Sequence, residues 1–231
     1  MPHISKHFDA ELDHIRRRIL EMGGIVEYQI RYAVESLRNR NVELIETVAR
    51  EELRVNRLQC EIDEECTQVI ARRSPTAFDL RFLLMSMKTI TDLERIGDEA
   101  KKIAFMSREL RLNERTSPGL PEIKLIANEV IEMLRMGLDE LARMETSEVT
   151  DVLRMDREVD AQFKAMLRAT LTYMIEDPRT ISASLDALFV AKALERIGDH
   201  AKNIAEYVVY TSNGNDIRHR SLEEVEAATR Q

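Results

Sequence analysis

The chain has 231 residues, of which 7 are Gly and 5 are Pro; ordinary composition would supply about 28 of the two together. With 44% hydrophobic, 5% aromatic and 33% charged residues, it excludes a turn-rich β sandwich, a Gly-rich nucleotide-binding α/β fold and a disordered chain. The net charge of −8 argues against a nucleic-acid partner, and the longest uncharged apolar run, Phe82 to Met87, is far shorter than the ~18 residues of a membrane span.

The helical period then organises the chain. Phe8, Leu12, Ile15, Ile19, Met22, Val26, Ile30, Val34 and Leu37 step by three or four along a first amphipathic helix. Asn41 caps a second, with core positions Val48, Val55, Ile62 and Val69. Ser74-Pro75 reads as the start of a third, Ser capping and Pro at the first helical position, through Leu83, Ile90, Leu93 and Ala104. The segment Leu112 to Pro121 interrupts the pattern and is the expected division between two halves. A fourth helix is expected over Glu122–Met144, a fifth over Ser147–Glu176, and a sixth from Asp177-Pro178 to Thr211, followed by a loosely held tail.

The two halves repeat one another. LERIGDEAKKIA (Leu93–Ala104) matches LERIGDHAKNIA (Leu194–Ala205), and Glu52-x-x-x-Asn56 corresponds to Asp156-x-x-x-Asp160. The expected fold is all-α: two tandem three-helix bundles related by duplication, residues 1–114 and 115–213, with a tail at 214–231. A repeat near 100 residues is a duplicated domain, since solenoid periods run about 20–50.

Within the repeat, Glu94 and Asp98 are four apart on one helix side, as are Glu195 and Asp199. Like charges at that spacing are unfavourable in an isolated helix, and the interior Gly97 and Gly198 weaken it by roughly another 1 kcal/mol each. Counting residues back from the hairpin turns sets Glu94 opposite Asn56 and Asp98 opposite Glu52. The same count sets Glu195 opposite Asp160 and Asp199 opposite Asp156, with Glu27 and Glu132 at the same levels. Each bundle is therefore expected to gather at least three carboxylates, which either shift their pKa or recruit a cation. All-oxygen sets suit Mg²⁺, Ca²⁺, Mn²⁺ or iron. The competing reading is a solvated acidic face paired to Lys102 and Lys202.

No catalytic constellation is present. Three residues after Glu94 and Glu195 come Gly97 and Gly198 rather than the His of a di-iron oxidase, and the sequence has no Ser/His/Asp set, P-loop or Rossmann fingerprint. No basic, Gly-rich cradle offers a phosphate site. His3, His7 and His14 lack a partner acid motif, and His200 is expected to face solvent. Cys60 and Cys66, six apart, match no zinc pattern. With no apolar core after the N-terminal basic residues, they read as reduced thiols of a cytoplasmic protein.

The doubled LERIGD segments, the Glu52–Asn56 and Asp156–Asp160 pairs, the junctions RRSPTAFDLR (Arg72–Arg81) and TYMIEDPRTI (Thr172–Ile181), and the opening HFDAEL…MGGIVE (His7–Glu27) closely resemble the PhoU family, over Met1 to about Arg220. The resemblance implies a cytoplasmic, non-enzymatic regulator of phosphate uptake and of the phosphate-starvation response, often a homodimer. It implies contact with the ATPase subunit of the phosphate ABC transporter and with the phosphate-sensing histidine kinase. It also implies metal, iron, zinc, manganese or magnesium, at Glu52, Glu94, Asp98, Asp156, Asp160, Glu195 and Asp199. Asn56 departs from the acidic pattern at the first of these sites. A metal-free helical adaptor and a carboxylate-bridged metal enzyme are the alternatives.

Overall fold

A computed structural model describes residues 6–39, 41–109, 119–218, 220 and 224–225. Six long helices account for it: α1 (Lys6–Asn39), α2 (Val42–Arg73), α3 (Ala77–Glu109), α4 (Leu120–Arg143), α5 (Val149–Glu176) and α6 (Ile181–Asn213). No strand occurs among the described residues. The junction expected at 112–121 lies mostly outside them.

Each predicted apolar stripe is a buried stripe. Ile15, Ile19, Met22, Val26 and Ile30 line α1, and Val48, Val55, Ile62 and Val69 line α2. Helices α1, α2 and α3 pack on one another, as do α4, α5 and α6, giving the two three-helix bundles. They are not insulated from each other: α3 packs along α6 and α1 meets α4, so that one continuous apolar core runs through both halves. The helices α4 and α6 run close together at Gly137, where a Cβ would be in ordinary contact, 3.4 Å from the Ala201 carbonyl oxygen.

The helix ends show what the sequence rules capture and what they miss. Asn41 caps α2 as expected, its side chain accepting from the Glu43 N–H at 2.9 Å. Ser74, by contrast, closes α2 in the left-handed region (φ 47°), and α3 begins only at Ala77. The Leu80 N–H then donates to the Thr76 carbonyl at 2.8 Å. At the matching junction, a single 3₁₀ turn (Pro178–Thr180) precedes α6, held by Asp177 accepting from the Arg179 N–H. The tail packs as well: Ile217 and Val225 are both buried.

Polar pairs pin the halves together. Asp92 on α3 is hydrogen-bonded to His200 Nδ1 (2.6 Å) and accepts from Asn203 (3.3 Å), both on α6. Buried Glu99 pairs with Arg196 across the same seam at 2.8 Å and with its own neighbour Lys102 at 2.9 Å. His200 is thus an interface residue and not the solvent-facing one its place beside Asp199 suggested.

Candidate functional site

The acidic motif lies on the outward seam of each hairpin, between α2 and α3 in the first half and between α5 and α6 in the second. In the first, Asp98 and Glu52 meet across the hairpin, as residue counting requires. Glu52 is completely buried, on the apolar stripe of α2. Burial pushes its carboxyl above the ordinary range. Gln29 opposes this by donating to it at 3.2 Å, and Asp98 reinforces it. Glu94 is raised by burial and by Asp98. Three carboxylates therefore converge, and the nearest cations, Lys101 for Glu52 and Arg95 and Lys102 for Glu94, do not offset the burial.

Gly97 has a definite structural reason. A Cβ on it would lie 3.0 Å from both Gln29 Oε1 and Glu52 Oε2. The group it leaves room for is a buried amide–carboxylate pair. Gln29 was not among the expected residues, although it falls on the buried face of α1 beside Val26, Ile30 and Ala33. A polar side chain on that stripe was the available signal.

The second seam has the same plan with different chemistry. Asp199 is raised by burial and by the charges of Glu195 and Asp156, so these three acids also converge. Lysines answer them: Lys202 donates to Asp156 (2.8 Å), Lys192 to Glu195 (2.5 Å), and Lys164 to Asp160 (3.0 Å). Around Gly198 the neighbours are Val130, Met133 and Val159, so no buried polar pair occupies the space that Gln29 and Glu52 fill in the first half. Asp156, partly buried, instead pairs with Lys202.

Residue counting fixes the level of a side chain along a bundle but not its direction, and this explains the expectations that did not hold. Glu27 sits at the right height but faces α4, where burial raises its carboxyl and Arg135 (2.7 Å) and Arg31 (2.9 Å) more than reverse this. Glu132 is exposed. Asp160 pairs with Lys164 one turn along its own helix. Cys66 is buried, its thiol pushed up to about 12 by burial and nearby acids, while Cys60 is exposed; both are free.

Among the described residues, no three His, Cys, Asp or Glu side chains stand ready to hold an ion. The donor chemistry of the first seam nonetheless fits a hard cation. Gln29 Oε1, Glu52 Oε1 and Asn56 Oδ1 are all buried oxygens without a hydrogen-bond partner, and such groups are costly to leave unsatisfied. A cation bound there would supply the missing partner and the missing positive charge. At the second seam the lysine pairs must open first.

The comparisons with known proteins agree with this architecture. The family model described as the PhoU domain matches twice, at residues 19–106 and 123–208, one copy per bundle. A phosphate-specific transport system accessory protein PhoU homolog of Pseudomonas putida is 41% identical over 97% of this chain and 88% of its own. The PhoU accessory protein of Escherichia coli K12 is 40% identical over 97% and 92%. The crystal structure of PhoU from Pseudomonas aeruginosa superposes with a TM-score of 0.85 at 41% identity, covering 90% of this chain and all of that one. The phosphate transport system regulatory protein PhoU from Streptococcus pneumoniae gives 0.81 at 25% identity, over 90% and 98%. Two matched domains on two bundles of like plan, each carrying the acidic motif on its hairpin seam, place this chain in the PhoU family.

Proposed function

We propose that this protein is a cytoplasmic regulator of phosphate uptake that holds the phosphate-starvation response off when phosphate is plentiful. It acts by contact with the ATPase subunit of the phosphate ABC transporter and with the phosphate sensor kinase, as a pair of copies, and not by turnover. The observation that carries this reading is the duplicated acidic seam with its converging carboxylates, in a chain whose relatives are named accessory proteins of phosphate transport. Among the described residues no helix is long and apolar enough to cross a membrane, so association with a transporter would run through protein contacts.

In this reading Glu52, Asn56, Glu94 and Asp98, with Gln29 beside them, would hold a hard cation at the first seam. Asp156, Asp160, Glu195 and Asp199 would do so at the second once Lys164, Lys192 and Lys202 move aside. Bound metal would neutralise two acidic faces that otherwise repel acidic partners. A metal-free adaptor is the second reading, favoured by those lysine pairs.

Deleting the gene tests the regulator. In high phosphate, a reporter of the phosphate-starvation response should rise well above wild type and return to baseline when the gene is restored. An unchanged reporter would contradict the reading.

A further inference from the structure

The distal end of the α5–α6 hairpin carries an apolar strip that the fold does not need. Leu167, Leu171 and Ile175 step by four along α5, and Ile181, Leu185 and Phe189 step by four along α6. Reflection about Pro178 sets them at matching levels: Ile175 with Ile181, Leu171 with Leu185, Leu167 with Phe189. All six are exposed, from 37% at Leu167 to 82% at Ile175. Contacts further along place the two rows. The Lys192 ammonium lies 5.5 Å over the Phe163 ring, and Lys202 reaches Asp156, which marks the outward seam of the hairpin. Leu167 is one turn beyond Phe163, and Phe189 one turn before Lys192, so the strip continues that seam.

The duplication supplies an internal control. In the first repeat the corresponding positions are Asp63, Thr67 and Ala71 on α2, and Leu80, Leu84 and Lys88 on α3. A PhoU bundle therefore forms without an apolar strip here. Nearby, the bulky inward residues Phe82 and Leu83 of the first repeat are replaced by Ala183 and Ser184. At this end of the second bundle, apolar bulk has moved from the inside of the hairpin to its outside. Solvation alone gives no reason for that exchange.

We propose that this strip is the face through which a second copy of the chain docks, two α5–α6 hairpins packing against each other across a two-fold axis. The inference rests on the paired assembly proposed above and adds which surface makes it. Three observations select this occupant. Weighted by exposure, the six side chains offer roughly 600 Å² per copy, so two facing copies bury about 1,200 Å², the lower bound of a stable interface. An uncharged apolar strip is its own complement, as an isologous contact demands, and none of the six carries a charge to oppose a like surface. The tail's own apolar anchors, Ile217 and Val225, are already buried elsewhere, lining a cavity with Leu153, Lys202 and Glu206 near the opposite end of the seam.

Sedimentation equilibrium on the full chain tests the proposal. The wild type should have twice the 26.8 kDa chain mass. Phe189→Asp and Leu171→Asp should each weaken self-association by at least ~100-fold, and the milder Leu185→Ala and Phe189→Ala by about tenfold, with helical content unchanged because all three side chains are exposed. Leu84→Asp, at the matching exposed position of the first repeat, should leave the dimer intact. A wild type that is monomeric across the concentration range would overturn both the pairing and the face. A dimer unaffected by the Phe189 and Leu171 variants, or one dissolved by Leu84→Asp, would overturn the face alone.

Discussion

Gly97→Leu should cost the protein about 2–4 kcal/mol of folding stability, read as a lower urea midpoint at unchanged slope. A Cβ at Gly97 already lies 3.0 Å from Gln29 Oε1 and Glu52 Oε2, both on fully buried side chains. A leucine must therefore push the carboxylate off its amide partner. Overpacking of this kind costs roughly 1–3 kcal/mol, and stranding a buried polar group costs a similar amount. About 1 kcal/mol is recovered because leucine favours helix over glycine. The duplicated position is the control: at Gly198 the neighbours are Val130, Met133 and Val159, at 3.3 to 3.7 Å. Gly198→Leu displaces no polar pair there, and its loss should be smaller by about 1–2 kcal/mol. Equal losses at the two glycines would show that the Gln29–Glu52 pair is not what Gly97 accommodates.

Glu206→Gln should stabilise the protein at pH 8 and leave it nearly unchanged at pH 4, both in metal-free buffer. Burial pushes the Glu206 carboxyl up to about 7; Asp156 and Asp216 reinforce the rise, while Lys202 and Arg218 oppose it. The folded protein holds this proton more tightly than the unfolded chain. The favourable contribution is complete below the ordinary glutamate range near 4.5 and is lost as pH rises through about 7. Glutamine cannot ionise and escapes that loss. A displacement of this size is worth about 3 kcal/mol, several degrees in melting temperature for a chain of this length. A variant no more stable than wild type at pH 8 would mean that Glu206 ionises there without penalty.

The all-helical fold, the duplication and the hairpin pairing of Asp98 with Glu52 and of Asp199 with Asp156 were legible because each depends on spacing along the chain. Period, cap and Pro position carry that information without tertiary detail. What spacing does not carry is direction around the bundle. Glu27 was placed at the right height, and Arg135 on a neighbouring helix took it. His200 stands beside the acidic motif in sequence but turns to Asp92 on α3. Ser74 could equally end α2 or begin α3, and packing decided for the first.

The asymmetry of the two seams was also hidden, and for a chemical reason. By composition alone the α5–α6 seam is the stronger cation site, with Asp160 where the α2–α3 seam has Asn56. The structure pairs the acids of the α5–α6 seam with Lys192, Lys202 and Lys164 and leaves the α2–α3 seam with buried oxygens lacking any partner. The deciding residue is Gln29, a polar group on the core stripe of α1, far from the motif in sequence. Its counterpart in the other half is Met133, so the two halves share a backbone plan while differing in what their seams require.

That the acidic seams are cation sites is tested most directly by measuring metal per chain. Untagged protein, purified without chelator, should carry stoichiometric iron, zinc, manganese or magnesium. The Glu52→Gln, Asp98→Asn double variant should lose the first-seam share of it, and metal added to stripped wild type should raise the melting temperature. Trace metal in the wild type, with melting unmoved by added Mn²⁺ or Fe²⁺, would contradict the account and leave the seams metal-free.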